Sequence, residues 1–215
     1  MNLAHGGSCA SHSTRAPAGR TFDPFPFPEP VMQPAAVAFP AYDFYTTEQL
    51  LKAYREGPER LRAASAGLTM ERMRARPRPG KWSILEILLH VTDSELSGAM
   101  RVRYVMAQPG IRLPGYDQDL WTARLRHNEA DLALLDDMMA LFRLLRRVTG
   151  RIFTAAQGDE WTASAIHPDY GEITLRNLLE LYADHSERHV EQILQCRALL
   201  KRPIEIPALL PRRLY

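Results

Sequence analysis

His185 and His189 stand four residues apart in the segment Tyr182-Ala-Asp-His-Ser-Glu-Arg-His-Val-Glu-Gln-Ile193. On a helix that spacing puts both imidazoles on one face. Two imidazoles so placed can reach a single metal ion at about 2.0–2.1 Å. Their stripe is otherwise apolar, with Leu178 and Tyr182 before them and Ile193 and Leu200 after. A zinc-protease motif is excluded, because Glu187, two residues beyond His185, points about 160° away from it.

A third histidine, His90, lies in Trp82-Ser-Ile-Leu-Glu-Ile-Leu-Leu-His-Val-Thr-Asp-Ser-Glu95. Glu86, Asp93, Ser94, Ser97 and Arg101 share its side of a helix otherwise rich in Ile, Leu and Val. A lone histidine in an apolar stripe is ordinarily a satisfied core residue. A pair joined by a third from another long helix points instead to a shared metal, since buried imidazoles need partners and one ion serves all three. Three protein ligands leave coordination positions open, which is the catalytic arrangement rather than the structural one. Such an ion can acidify a bound water or hold a thiol as thiolate. In the first use Asp93, one turn from His90, is the candidate base; the blander role for it is to orient an imidazole N–H. Arg101 and Arg103 are candidates for gripping an anionic group of a thiol cofactor, against the simpler expectation of salt bridges on the bundle surface.

Four amphipathic helices are expected to position these residues. Thr46-Thr47-Glu48-Gln49 has capping-box spacing ahead of Leu50, Leu51, Tyr54, Leu61 and Leu68, with Pro58 tolerated only near a first turn or at a kink. Ser83-Ile-Leu-Glu86 opens a second helix to about Ala107, where Pro109-Gly110 stops it. Asn128 is the expected cap of a third, carrying Leu132 to Phe153, and Thr174 of a fourth, ending near Lys201. No run alternates as a strand should. The fold expected is an all-α, up-down four-helix bundle with a long connection between its second and third helices, residues 108–127. Tyr116 and Trp121 in that connection are placed to lid an open end. His127 is expected at the surface, His167 at a mouth of the bundle, and Cys196 in the core.

The 215 residues divide by composition. Seven of sixteen prolines fall in the first 45 residues, so residues 1–44 read as an extended tail, 45–203 as the bundle and 204–215 as a C-terminal tail. One reading takes Met32 as the start and residues 1–31 as upstream sequence. Lys and Arg number 27 against 25 Asp and Glu, too balanced for nucleic acid or an anionic membrane as main partner. Arg72, Arg74, Arg76 and Arg78 make only a short basic cluster. Two cysteines exclude a disulfide framework, and no apolar run approaches the roughly 18 residues of a membrane span.

The segment from Lys81 to Glu95, the run His167-Pro-Asp-Tyr-Gly-Glu-Ile-Thr-Leu175 and the histidine pair of residues 182–193 together resemble the DinB/YfiT-like superfamily. The likeness covers roughly residues 46–200. It implies a bacterial, cytoplasmic four-helix bundle, commonly a homodimer, with a divalent metal such as zinc or nickel on His90, His185 and His189. It also implies a small-molecule substrate, and either hydrolysis or transfer to a low-molecular-weight thiol, since the superfamily includes bacillithiol transferases and a mycothiol-dependent isomerase. The alternative is a non-catalytic metal-binding bundle in a stress-response or interaction role. Arg188 stands where related sequences often carry a further histidine.

Overall fold

A computed structural model describes residues 42–211. Four long helices dominate: α1 (Thr47–Ser65), α3 (Ile84–Ala107), α5 (Leu132–Ala155) and α6 (Leu175–Leu199), with short helices α2 (Met70–Arg74) and α4 (Gln118–Arg124) between them. The expected caps hold three of the four starts. Thr46, Ser83 and Thr174 each accept a hydrogen bond from the third helical N–H, and the residue there reaches back to the cap. The exception is α5, which Asp131 caps instead of Asn128; Asn128 lies in a 3₁₀ turn, its side chain beside Ser83 Oγ at 3.0 Å. The residues before α6, expected as a loop, include a two-stranded antiparallel hairpin, β1 (Ser164–His167) and β2 (Gly171–Thr174). Four-residue strands are too short to show alternation in sequence.

The bundle is present, but its connections are not those of a simple up-down array. Each of α1 and α3 packs against both α5 and α6, so α1 sits diagonal to α3 and α5 diagonal to α6, while the consecutive pair α3 and α5 are neighbours. Contacts between α3 and α5 ascend together, Thr92 to Met138, Glu95 to Arg146, Arg103 to Thr149, so these two helices are parallel. Likewise α1 and α6 run parallel, from Thr47 with Arg176 to Ala64 with Arg197. The order is therefore up, down, down, up. Parallel neighbours need a connection that returns the full length of the helix.

That return is made by residues 108–131, along α3. Residues 110–113 bond to β1, Pro114 O accepts from Arg101, Tyr116 meets His90, His127 meets Asp93 and Asn128 meets Ser83. The connection thus climbs the histidine-bearing helix from its end to its start.

Two apolar clusters fill the bundle, one around Leu50, Val105 and Leu178, the other around Leu61, Leu88 and Ile193, with Cys196 in the second. Between them lies a buried polar layer. Arg146 and Glu95 pair at 2.6 Å, each 1% exposed, and Tyr54 Oη donates to the same carboxylate. Arg146 also resolves the problem of Pro58, which stays inside α1. Proline has no N–H to give the carbonyl four residues back, so Tyr54 O loses its helical donor; Arg146 Nη1 supplies one at 3.0 Å.

The folded unit overruns both expected boundaries. Tyr42 is buried and donates to Asp184 Oδ2 at 2.7 Å. Residues 204–211 run back along α1 and α6, with Leu209 N on Glu187 and Leu210 buried beside Tyr42's cluster. Residues 1–41 of the proline-rich segment lie outside the described residues.

Candidate metal centre

His90 on α3 faces His185 and His189 on the antiparallel α6, and the three Nε2 atoms converge. His90 Nε2 is 3.3 Å from His185 Nε2, which is 3.1 Å from His189 Nε2. Donors about 2.05 Å from one tetrahedral ion stand roughly 3.3 Å apart. The spacing is that of a coordination sphere. His90 and His189 are buried and His185 half-buried.

The outer nitrogens fix the rings. His189 Nδ1 is 2.8 Å from Gln192 Oε1. A carbonyl oxygen only accepts, so Nδ1 carries the proton and Nε2 a lone pair. His90 Nδ1 lies 3.0 Å from Tyr116 Oη, a phenol that can accept from Nδ1–H and so leave Nε2 free. Burial, then the charges of His189 and His127, pushes the His90 pKa down to about 2. His189 falls to about 4, chiefly by burial, and His185 lies well below its ordinary value through burial and its two neighbours. The trio is neutral at neutral pH. Neutral imidazoles have lone pairs to offer, and a cation is a partner that three convergent ring nitrogens can share. The donor set fits a divalent metal.

Aromatic rings wall the centre. Trp82 packs 4.6 Å from the His90 ring, and Trp121 lies edge-on to Tyr116 at 5.0 Å. Tyr182 stands 6.3 Å from the His185 ring and accepts from Arg101 Nη1 at 3.2 Å. Gly98 makes room for it: a methyl there would lie 2.5 and 2.8 Å from Tyr182 Cε1 and Cε2.

The remaining candidates are distributed around this core. Asp93 does not meet His90; its Oδ2 is 3.0 Å from His127 Nε2, both side chains buried. His127 is therefore interior, contrary to its expected surface position, because Arg126 in the left-handed region (φ 55°) turns the chain inward. Arg101 is buried as well, and its guanidinium joins Tyr182 to Pro114 O instead of forming a surface salt bridge. Arg103 bonds Ala99 O and Thr149. His167 is buried among Asp169, Tyr170 and the field of Arg101, apart from the trio. Gln192 was not foreseeable as a partner except by its place one turn beyond His189.

The profile of the DinB superfamily matches residues 53–193, a span that holds all three histidines. The chain belongs to the DinB superfamily. Among DinB relatives, a "Putative metal-dependent hydrolase" of Geobacillus thermodenitrificans is 27% identical over 182 residues, covering 82% of this chain and 96% of the relative. "Putative metal-dependent hydrolase YfiT" of Bacillus subtilis is 27% identical over 152 residues, covering 68% and 81%. The solved YfiT structure, described as an unusual four-helix bundle topology, superposes with TM-score 0.69 at 20% identity, over 76% of this chain and 94% of that one. A mycothiol-dependent maleylpyruvate isomerase superposes with TM-score 0.56 at 10% identity, over 73% and 63%. The bundle is thus a known DinB architecture, and its relatives carry the names of metal-dependent enzymes.

Proposed function

We propose that this DinB protein is a metal-dependent enzyme acting on a small molecule, with His90, His185 and His189 holding a divalent ion such as zinc or nickel. The convergence of three neutral imidazoles at coordination spacing carries this reading. A divalent ion held there supplies a Lewis acid with open positions, able to acidify water or hold a thiol as thiolate. Tyr116 and Gln192 orient two of the rings from behind. Trp82 gives an apolar wall against the His90 ring, and Trp121 backs Tyr116. Arg101 positions Tyr116 by holding Pro114, two residues upstream.

Transfer to a low-molecular-weight thiol is the favoured reaction. The outer nitrogens of His90 and His189 meet a phenol and an amide rather than a carboxylate, and thiol transfer needs no base to activate water. Likeness in fold to a mycothiol-dependent isomerase supports the same reading. Hydrolysis is the second reading, supported by the names of the relatives and by the Asp93–His127 pair, which would accept a proton from water.

The test is elemental analysis of protein purified without a metal-affinity tag, followed by assays with thiol plus electrophile and with esters and amides. One ion per chain, lost in His189→Ala together with thiol conjugation, is the expected result. Retained metal with hydrolysis alone selects the second reading. Retained metal with neither activity selects a non-catalytic bundle, and a chain that binds no divalent metal overturns the proposal.

A further inference from the structure

On the side of the bundle opposite the α3–α6 seam, a cleft of about 600 Å³ opens between α1 and α5. Its base is Pro58 and Gly150, both buried, where a ring-closed residue and one with no side chain leave the space between the two helices open, and Ala155 lines its exposed end. Its rim is basic. Arg55 stands on α1, and Arg143, Arg147 and Arg151 follow one another at four-residue intervals on α5. That interval keeps the three on one side of the helix, spread over about 12 Å.

The local acids do not answer these charges. Glu59, the carboxylate at the cleft, pairs with Arg62 at 2.8 Å. Arg146, beneath the floor, is committed to Glu95. None of the four rim arginines forms an ion pair with a carboxylate of the described residues. An apolar recess bordered by four uncompensated guanidiniums is complementary to a molecule with an apolar body and an acidic head. Its volume lies within the range of about 300–1,000 Å³ usual for small-molecule sites. A second copy of the chain seated here would set like charges together, and a flat polyanion would touch the rim and leave the base empty.

We propose that the α1–α5 cleft is a binding site, separate from the histidine centre, for a small amphipathic anion: an alkyl or aryl body carrying a carboxylate or phosphate. The base takes the body, and Arg143, Arg147 and Arg151 take the head.

Calorimetric titration of the full chain tests this, using decanoate and decyl phosphate below their micellar concentrations. Decan-1-ol, inorganic phosphate and duplex DNA serve as controls. The two anions distinguish a fatty-acid-like ligand from a phosphoryl one. One molecule bound per chain is expected, with decanol and inorganic phosphate at least tenfold weaker. Arg147→Glu is expected to weaken binding about tenfold or more. Ala155→Trp, which lays a ring into the cleft from its exposed end, is expected to abolish it, and His90→Ala to leave it unchanged. Equal binding of decanol, or of the anions by Arg147→Glu, overturns the proposal. So does loss of binding in His90→Ala, which would put the ligand at the histidine centre. DNA binding that Arg147→Glu removes and Ala155→Trp spares would mark a polyanion strip instead. Arg147 is exposed, so its charge reversal decides the matter even if the tryptophan variant does not fold.

Discussion

Tyr116 reaches His90 from a segment with no regular structure of its own, and the bond it makes is the one that orients this ring. Partners behind a metal-bound imidazole are worth roughly 10- to 100-fold in metal affinity. Tyr116→Phe keeps the ring and removes only the hydroxyl, so metal affinity, measured by chelator competition, is expected to fall at least tenfold with the fold intact. Gly98 acts by absence. A methyl there strikes the Tyr182 ring, which is held by Arg101 and stands against His185. Gly98→Ala is expected to destabilise by ~1–3 kcal/mol, read from denaturant unfolding, and to weaken metal binding through the displaced tyrosine. A variant that bound metal normally would show that Tyr182 can move without carrying His185. The three histidines that the fold brings together were legible in the sequence, because spacing on a helix determines which side chains share a face. Tyr116 and His127 were not legible as partners, because their reach depends on the path of a connection that carries no periodicity.

At the scale of helices, the starts of α1, α3 and α6 were readable from Thr46, Ser83 and Thr174, since a capping box is a local signal. Asn128 misled because a cap three residues further on, Asp131, served as well. Which helices are neighbours was not readable at all. That depends on pairwise burial of faces whose apolar stripes look alike, and on polar pairs such as Glu95 with Arg146 that sequence alone does not match. This pair ties α3 to α5, and through Tyr54 O and Tyr182 O it also ties in α1 and α6. Removing one member of a buried ion pair leaves the other charge unanswered, at a cost of ~3–5 kcal/mol. Arg146→Met is therefore expected to lower stability by about that amount in chemical unfolding, with a further local effect in α1. There Tyr54 O would lose the donor that replaces the one Pro58 lacks, so amide exchange near the proline should quicken.

The whole molecule stores several histidines in neutral form, and this sets its response to acid. His90 is pushed down to about 2, and His167 and His189 to about 4, against about 6.5 in the unfolded chain. Below about 6.5 the unfolded state therefore takes up protons that the fold refuses, so stability rises with pH through this window. The contribution is complete above about 6.5 and drains away as pH falls towards 4. Metal-free protein is expected to melt progressively lower from pH 7 to 4.5, and His167→Asn to flatten part of that slope. Added divalent ion should raise the melting temperature at pH 7, and much less at pH 5, where protons compete for the same nitrogens. No helix among the described residues is long and apolar enough to cross a membrane. Because α3 and α5 run parallel, the chain must travel back along α3, and that journey lays residues 114–127 over the histidines. On the proposed function, the ion's three histidines come from the helices, whereas the return path supplies Tyr116 behind one of them and the residues that would meet a substrate. Exchanging residues 112–127 between relatives, with Tyr116 kept, should transplant substrate preference while leaving the ion where it is.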